Sequence, residues 1–264
     1  MNIFFRELKA NRKSLIIWSI CMFLLVLSGM AKYKAYSSAG AATALFLSMP
    51  RSIRILLGFG SFDVTTISGF FALLFLYIEF AAALHAALLG AGIIAKEERD
   101  KTTEYLMTKP VSRTTVITAK LIAALINIIV INVVSLVSSI FIVATYNQGT
   151  DISGKISIFF LSMFIVQLIF LSLGAFMAAF MRNPKSAGSF AVAVLLIGFV
   201  ISKLTDFTET LNFLNLFSPF KYFNFYKLES GRGLDSSIVI LSLVLVAIFF
   251  TSTYYFYQKR DLNV

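Results

Sequence analysis

The chain has 264 residues, 58% of them hydrophobic and only 14% charged, with a mean hydropathy of +0.86. A soluble domain carries about 25% charged residues, and several runs here exceed the roughly 18 apolar residues that read as a membrane span, so the composition predicts an all-α polytopic membrane protein with a single membrane domain. The apolar runs are continuous rather than alternating, which argues against a transmembrane barrel. The formal net charge of +10 would suggest nucleic acid in a soluble protein. Here the basic residues flank spans, so headgroups and topology account for them and no nucleic-acid partner is expected. Cys21 is the single cysteine and sits in an apolar run, which leaves no disulfide framework and no cysteine metal site.

At about 100° per residue, Phe4, Phe5, Leu8 and Leu15 share one side of a helix over 2–14, with Arg6, Lys9 and Lys13 on the other. This pattern predicts an amphipathic arm lying on the membrane surface. No small-residue cleavage site follows it, so 15–31 is read as a retained first span, with Trp18 as its interface anchor. The connection 32–63 contains a moderately apolar stretch, 41–60, interrupted by Pro50, Arg51 and Arg54, which suits an interfacial or re-entrant segment. The second span is predicted over 65–95 and the third over 114–146, both longer than a bilayer needs. Spans four, five and six follow at 156–181, 186–203 and 236–257. The connection 205–235 is rich in aromatics, among them Phe207, Phe213, Phe217, Phe220, Tyr222 and Phe223; it reads either as a gate for amphipathic substrate or as an interface belt.

Six spans put both ends on one side. The arm (Arg6, Lys9, Arg12, Lys13), the loop after span two, the Arg182–Lys185 turn and the carboxyl end concentrate basic residues on short segments of that side. The positive-inside bias therefore predicts cytoplasmic termini.

Several residues invite chemistry. Gly149-Thr150-Asp151-Ile152-Ser153-Gly154-Lys155-Ile156 matches the first seven positions of a phosphate-binding P-loop. The eighth must carry a hydroxyl for magnesium and is Ile156, and no strand precedes the stretch, so the chain holds no recognisable ATP engine. Glu79 is the one acid well inside a span, on a stripe with Ala83, Ala86 and Gly90 whose small residues permit close helix contact. It reads either as a cavity group on a transport pathway or as a hydrogen-bonded packing residue. His85, the sole histidine, lies about 120° further round the helix and favours packing. Asn132, Ser135 and Ser139 share a face of span three, and Gln167 sits in span four; interhelical hydrogen bonds are the first reading and substrate contact the second. An intramembrane enzyme or a sensor built on Glu79 and His85 is a lower alternative.

The longest densely charged run lies between spans two and three: Glu97-Glu98-Arg99-Asp100-Lys101-Thr102-Thr103-Glu104-Tyr105-Leu106-Met107, then Pro110-Val111-Ser112-Arg113, with Lys120 in the following helix. It resembles the cytoplasmic loop of permease subunits of ABC transporters of the type-2 exporter class, with Lys101 where that family usually has Gly and Met107 for the second Leu. The amphipathic arm matches the family's elbow helix. Ser218-Pro219-Phe220 before the last span and the carboxyl end Phe256-Tyr257-Gln258-Lys259-Arg260-Asp261-Leu262 are also typical. Physically, Thr102 or Thr103 can cap a short helix whose positive end lies near Asp100 and Glu104. Tyr105, Leu106 and Met107 then form an apolar knob suited to a partner's cleft. The resemblance implies a coupling helix on which a separate ABC ATPase subunit docks, supplying ATP and magnesium, while this chain has no cofactor and no catalytic residue of its own. It implies Glu97, Glu98, Thr102, Glu104, Tyr105, Leu106 and Arg113 as coupling residues, with Lys120 supporting the loop. It further implies a second permease copy, as a homodimer or heterodimer, in a bacterial cell membrane. Glu79, His85 and Asn132 are the pathway candidates. Few pathway charges and aromatic outer segments suit an amphipathic cargo such as a peptide toxin or antimicrobial peptide; a drug, a lipid-linked molecule or an ion is the alternative.

Overall fold

The computed structural model describes residues 3–37, 48–57, 62–100, 111–147, 149, 151–181, 183, 186–231 and 233–259. Regular structure among these residues is helical, and six helices are long and apolar enough to cross a membrane. We label them α1 (Ile3–Met30), α2 (Ile67–Arg99), α3 (Arg113–Tyr146), α4 (Ser153–Phe180), α5 (Ala187–Phe207) and α6 (Ser236–Lys259). The all-α, six-span reading therefore holds.

The centre of the bundle is the α2–α4 pair. α1 packs on α3, α6 on α4, and α5 on α2. The sequence stripe of small residues explains the central contact. A Cβ at Gly90 would lie 2.2 Å from the Leu171 carbonyl oxygen, and one at Gly174 would lie 2.3 Å from that of Ala87. The two backbones thus touch through reciprocal glycines, as small residues allow in membranes. In contrast, α1 buries few residues, Ile3 and Glu7 in the arm and a narrow stripe of Met22, Val26 and Met30 at four-residue spacing, while Ile16, Ile17, Ile20 and Leu24 face outward.

Four boundaries differ from the sequence expectation for physical reasons. From Ile3 on, the expected arm and first span form one uninterrupted helix, because no Gly or Pro occurs before Gly29. α2 runs through the whole of Lys96–Arg99, so the charged run starts as a helix end rather than a loop. Lys96 and Arg99 lie in its last turn, where cations oppose the negative helix end. α5 continues past Lys203 to Phe207, since nothing in that stretch breaks a helix. The connection after α5 folds into a 3-10 helix, Glu209–Phe217, a second one at Pro219–Lys221, and a short α-helix, Phe225–Glu229. Of the 41–60 segment, a short helix, Arg51–Leu56, follows Pro50; residues 41–47 and 58–60 lie outside the described residues. The start of α3 is as expected: the Ser112 hydroxyl caps it by accepting from the Thr115 N–H.

The antiparallel order gathers the connections after α1, α3 and α5 at one end. Tyr33 donates to the Thr65 carbonyl there, and Lys155 reaches the Ser68 hydroxyl and the Glu229 carboxylate. Lys155 of the near-miss P-loop is thus engaged in tying together connections at that end. The amino arm, the start of α3 and the end of α6 lie at the other end.

Candidate functional site

At the end that carries the 97–113 loop, five charged side chains form a network. Lys120 of α3 is fully buried, and its ammonium donates to the Glu97 carboxylate and to the Ile93 carbonyl, both at 2.5 Å. Glu97, only 6% exposed, also accepts from Arg6 at 3.0 Å. Arg6 bonds Glu7 at 3.0 Å, and Lys96 lies 3.7 Å from the same carboxylate. Such partners offset the desolvation of a buried carboxylate, which costs several kcal/mol when the charge is unpaired. The network joins α1, α2 and α3 at the base of the loop. Arg113 adds a fourth helix, donating to the carbonyls of Gln258 at 3.1 Å and Tyr257 at 3.5 Å, where the end of α6 presents unsatisfied acceptors.

Glu97 and Lys120 were expected near the loop. Their position is internal, as anchors of the helix from which the loop departs. Glu98 is half-buried beside them. Thr102, Glu104, Tyr105 and Leu106, with the expected coupling helix, lie outside the described residues. Sequence reading passed over Glu7, which is fully buried. The available signal was a single acid set among Arg6, Lys9, Arg12 and Lys13 on an arm otherwise free of acids.

The opposite end holds a cavity of about 730 Å³ between α2, α5 and the 209–226 segment. Glu79 lies in its lining, 2% exposed, together with Lys203, Asp206, Lys221 and Asn215. Asp206 pairs with Lys203 at 3.9 Å and with Lys221. Phe199, Phe220 and Tyr226 contribute aromatic wall. Phe199 and Phe220 stand edge to face, 5.6 Å between centroids, and both pack on Phe80. Ser218 fixes this wall by donating to the Gly198 carbonyl at 2.7 Å. Tyr222 donates to the Leu216 carbonyl at 2.8 Å, and burial pushes its phenol above the ordinary range. Part of the aromatic connection thus folds back against the bundle.

The three pathway candidates are not brought together. Glu79 lines the cavity. His85 packs edge to face against Trp18, with centroids 5.1 Å apart. Asn132 bonds Gln167 and the Ile128 carbonyl, and Gln167 reaches the Ala82 carbonyl at 3.5 Å, so this pair links α3, α4 and α2. Ser135 and Ser139, expected to bond between helices, are buried with hydroxyls that find no such partner among the described residues. Glu79 and His85 thus have different surroundings, a cavity for the one and the Trp18 ring for the other.

Six apolar helices, two of them packed at the centre through reciprocal glycines, define a multi-pass membrane protein. Over residues 1–262 the sequence matches the ABC-2 family transporter proteins, and the chain belongs to that family. It is thus a membrane transport subunit, not itself the catalyst. A comparison with curated proteins finds no match.

Proposed function

We propose that the chain is the permease half of an ATP-driven exporter in a bacterial cell membrane, energised by a separate ABC ATPase subunit that docks on the 97–113 loop. The observation that carries this reading is the buried network Lys120–Glu97–Arg6–Glu7–Lys96. A loop that only obeyed the positive-inside rule would need no buried ion network beneath it. A network that clamps α1, α2 and α3 at the loop's root makes any force on the loop a force on three helices, because packed elements shift as units rather than deform. Arg113 carries the same displacement to α6. ATP and magnesium belong to the partner, the termini are cytoplasmic, and a second permease copy, identical or related, completes the pathway. The cargo is amphipathic, a peptide toxin or antimicrobial peptide, in keeping with the aromatic cavity at the far end; a drug, lipid-linked molecule or ion is the alternative.

Co-purification with the ATPase subunit tests the docking. Leu106→Ala and Glu98→Ala should each reduce recovery of the ATPase, with Leu106→Ala the stronger because it removes the apolar knob. Undiminished recovery in both variants would refute docking at this loop.

A further inference from the structure

The cavity at the far end contains an imbalance of hydrogen-bonding groups. Its acids and bases are equal in number, but they are not equally satisfied. Lys203, Asp206 and Lys221 form a connected group, with the carboxylate between two ammoniums. Glu79 has no hydrogen bond or close ion pair among the described residues, and Lys203 lines the same cavity. Glu79 is almost wholly buried, and it borders the cavity. A second acceptor in the lining is Asn215 Oδ1, buried and without a donor among the described residues, while its amide nitrogen donates weakly to Asn212 at 3.4 Å. Both groups border one cavity, and buried polar groups without partners are costly unless something supplies the missing bonds.

We infer that this cavity binds the primary ammonium of a cationic amphiphile, with Glu79 as its counter-ion, Asn215 as a second acceptor, and the Phe199–Phe220 wall receiving the apolar body. The inference rests on the transport reading above and names the chemistry of its cargo at one point, a lysine-like head beside an apolar surface. The size agrees, since about 730 Å³ falls in the roughly 300–1,000 Å³ range of ligand sites. The wall agrees as well, because the face of an aromatic ring attracts a cation. Lys203 and Lys221 each have Asp206 as an acidic partner. The site takes the ammonium rather than a carboxylate because the unsatisfied groups are acceptors.

The test uses the full chain in nanodiscs and a small soluble probe, phenethylammonium, with 3-phenylpropionate as the anion of matching shape. Saturation-transfer NMR and titration calorimetry read the binding. Phenethylammonium should bind the unaltered chain and outcompete phenylpropionate. Glu79→Gln should weaken it by about 10- to 100-fold, the loss of one charge-assisted hydrogen bond. Asn215→Leu should weaken it less. Leu106→Ala, which tests ATPase docking, should leave it unchanged, so failure of the cavity claim and failure of the docking claim are separable. Equal binding by Glu79→Gln and the unaltered chain, absence of phenethylammonium binding, or preference for phenylpropionate would each overturn the inference. The comparison of cation and anion on the unaltered chain decides the matter even if Glu79→Gln fails to fold.

Discussion

Replacing Lys120 by Met should destabilise the bundle, and the size of the effect follows from the contacts. Lys120 has no solvent exposure and holds Glu97 at 2.5 Å. Its loss leaves a carboxylate that is 6% exposed and supported by Arg6 at 3.0 Å. Breaking a buried pair by removing one partner costs about 3–5 kcal/mol, and the remaining arginine places this case near the lower limit, about 3 kcal/mol. For a chain of this size that corresponds to a fall in apparent Tm of about 6–12 °C. The second replacement, Glu97→Leu, removes the stranded charge, and Arg6 keeps Glu7 as a partner at 3.0 Å. Lys120→Met/Glu97→Leu should therefore recover at least half of the loss, since apolar replacement of a whole buried pair is often neutral. Thermal unfolding in one detergent, followed by size-exclusion of the heated sample, measures all four members of the cycle. A Lys120→Met change of less than about 1 °C, or strictly additive effects in the double variant, would refute the claim that the two charges depend on each other.

Other positions give sharper local tests. Gly90→Ala puts a methyl 2.2 Å from the Leu171 carbonyl oxygen and should cost about 1–3 kcal/mol or more. Gly92→Ala, where no atom lies within 4 Å, should be neutral or stabilising by about 0.5–1 kcal/mol, so the pair of melting curves separates packing from helix propensity. Asn132→Leu removes an interhelical hydrogen bond of the kind that averages about 0.6 kcal/mol in membranes; it should lower Tm slightly and leave transport intact. Arg113→Ala should increase hydrogen exchange at 255–259, because the carbonyls of Tyr257 and Gln258 lose their donor. Asp63 accepts from the Thr65 hydroxyl at 2.6 Å and its N–H at 3.0 Å, bonds that hold its carboxyl below the usual range. A depressed native value stabilises the turn above the unfolded carboxylate value, and that stabilisation disappears as pH falls through the native value. Protection of the Thr65 and Thr66 amides should thus be flat from pH 8 to 5 and fall only below about pH 4.

What the sequence disclosed was local. The Ser112 cap, the small-residue stripe through Gly90 and the six apolar runs depend on neighbouring residues, and their structural counterparts agree. Charges were harder to place, because hydropathy assigns every Lys and Glu to water. Glu97 looked like the beginning of a loop; its partner Lys120 is 23 residues away, and Arg6 is 91 residues away. No periodicity encodes such pairings. The same rule ended the fifth span at Lys203, whereas Asp206 and Lys221 satisfy that lysine and let α5 continue. The arm's amphipathic pattern was legible, yet its acid Glu7 faces inward, since Arg6 and Lys96 neutralise it there. Glu79 was recognisable as costly. The cavity beside it was not, because one wall comes from the 3-10 segment that folds back over α5.

Coupling between the network and the ATPase is decided by hydrolysis in the reconstituted complex. On the proposed docking, the unaltered permease should change the hydrolysis rate of the ATPase, and Lys120→Met/Glu97→Leu, folded and still co-purifying with the ATPase, should lose that change. A double variant that binds the ATPase and alters its rate as the unaltered chain does would show that the buried charges serve packing alone, and would contradict the account.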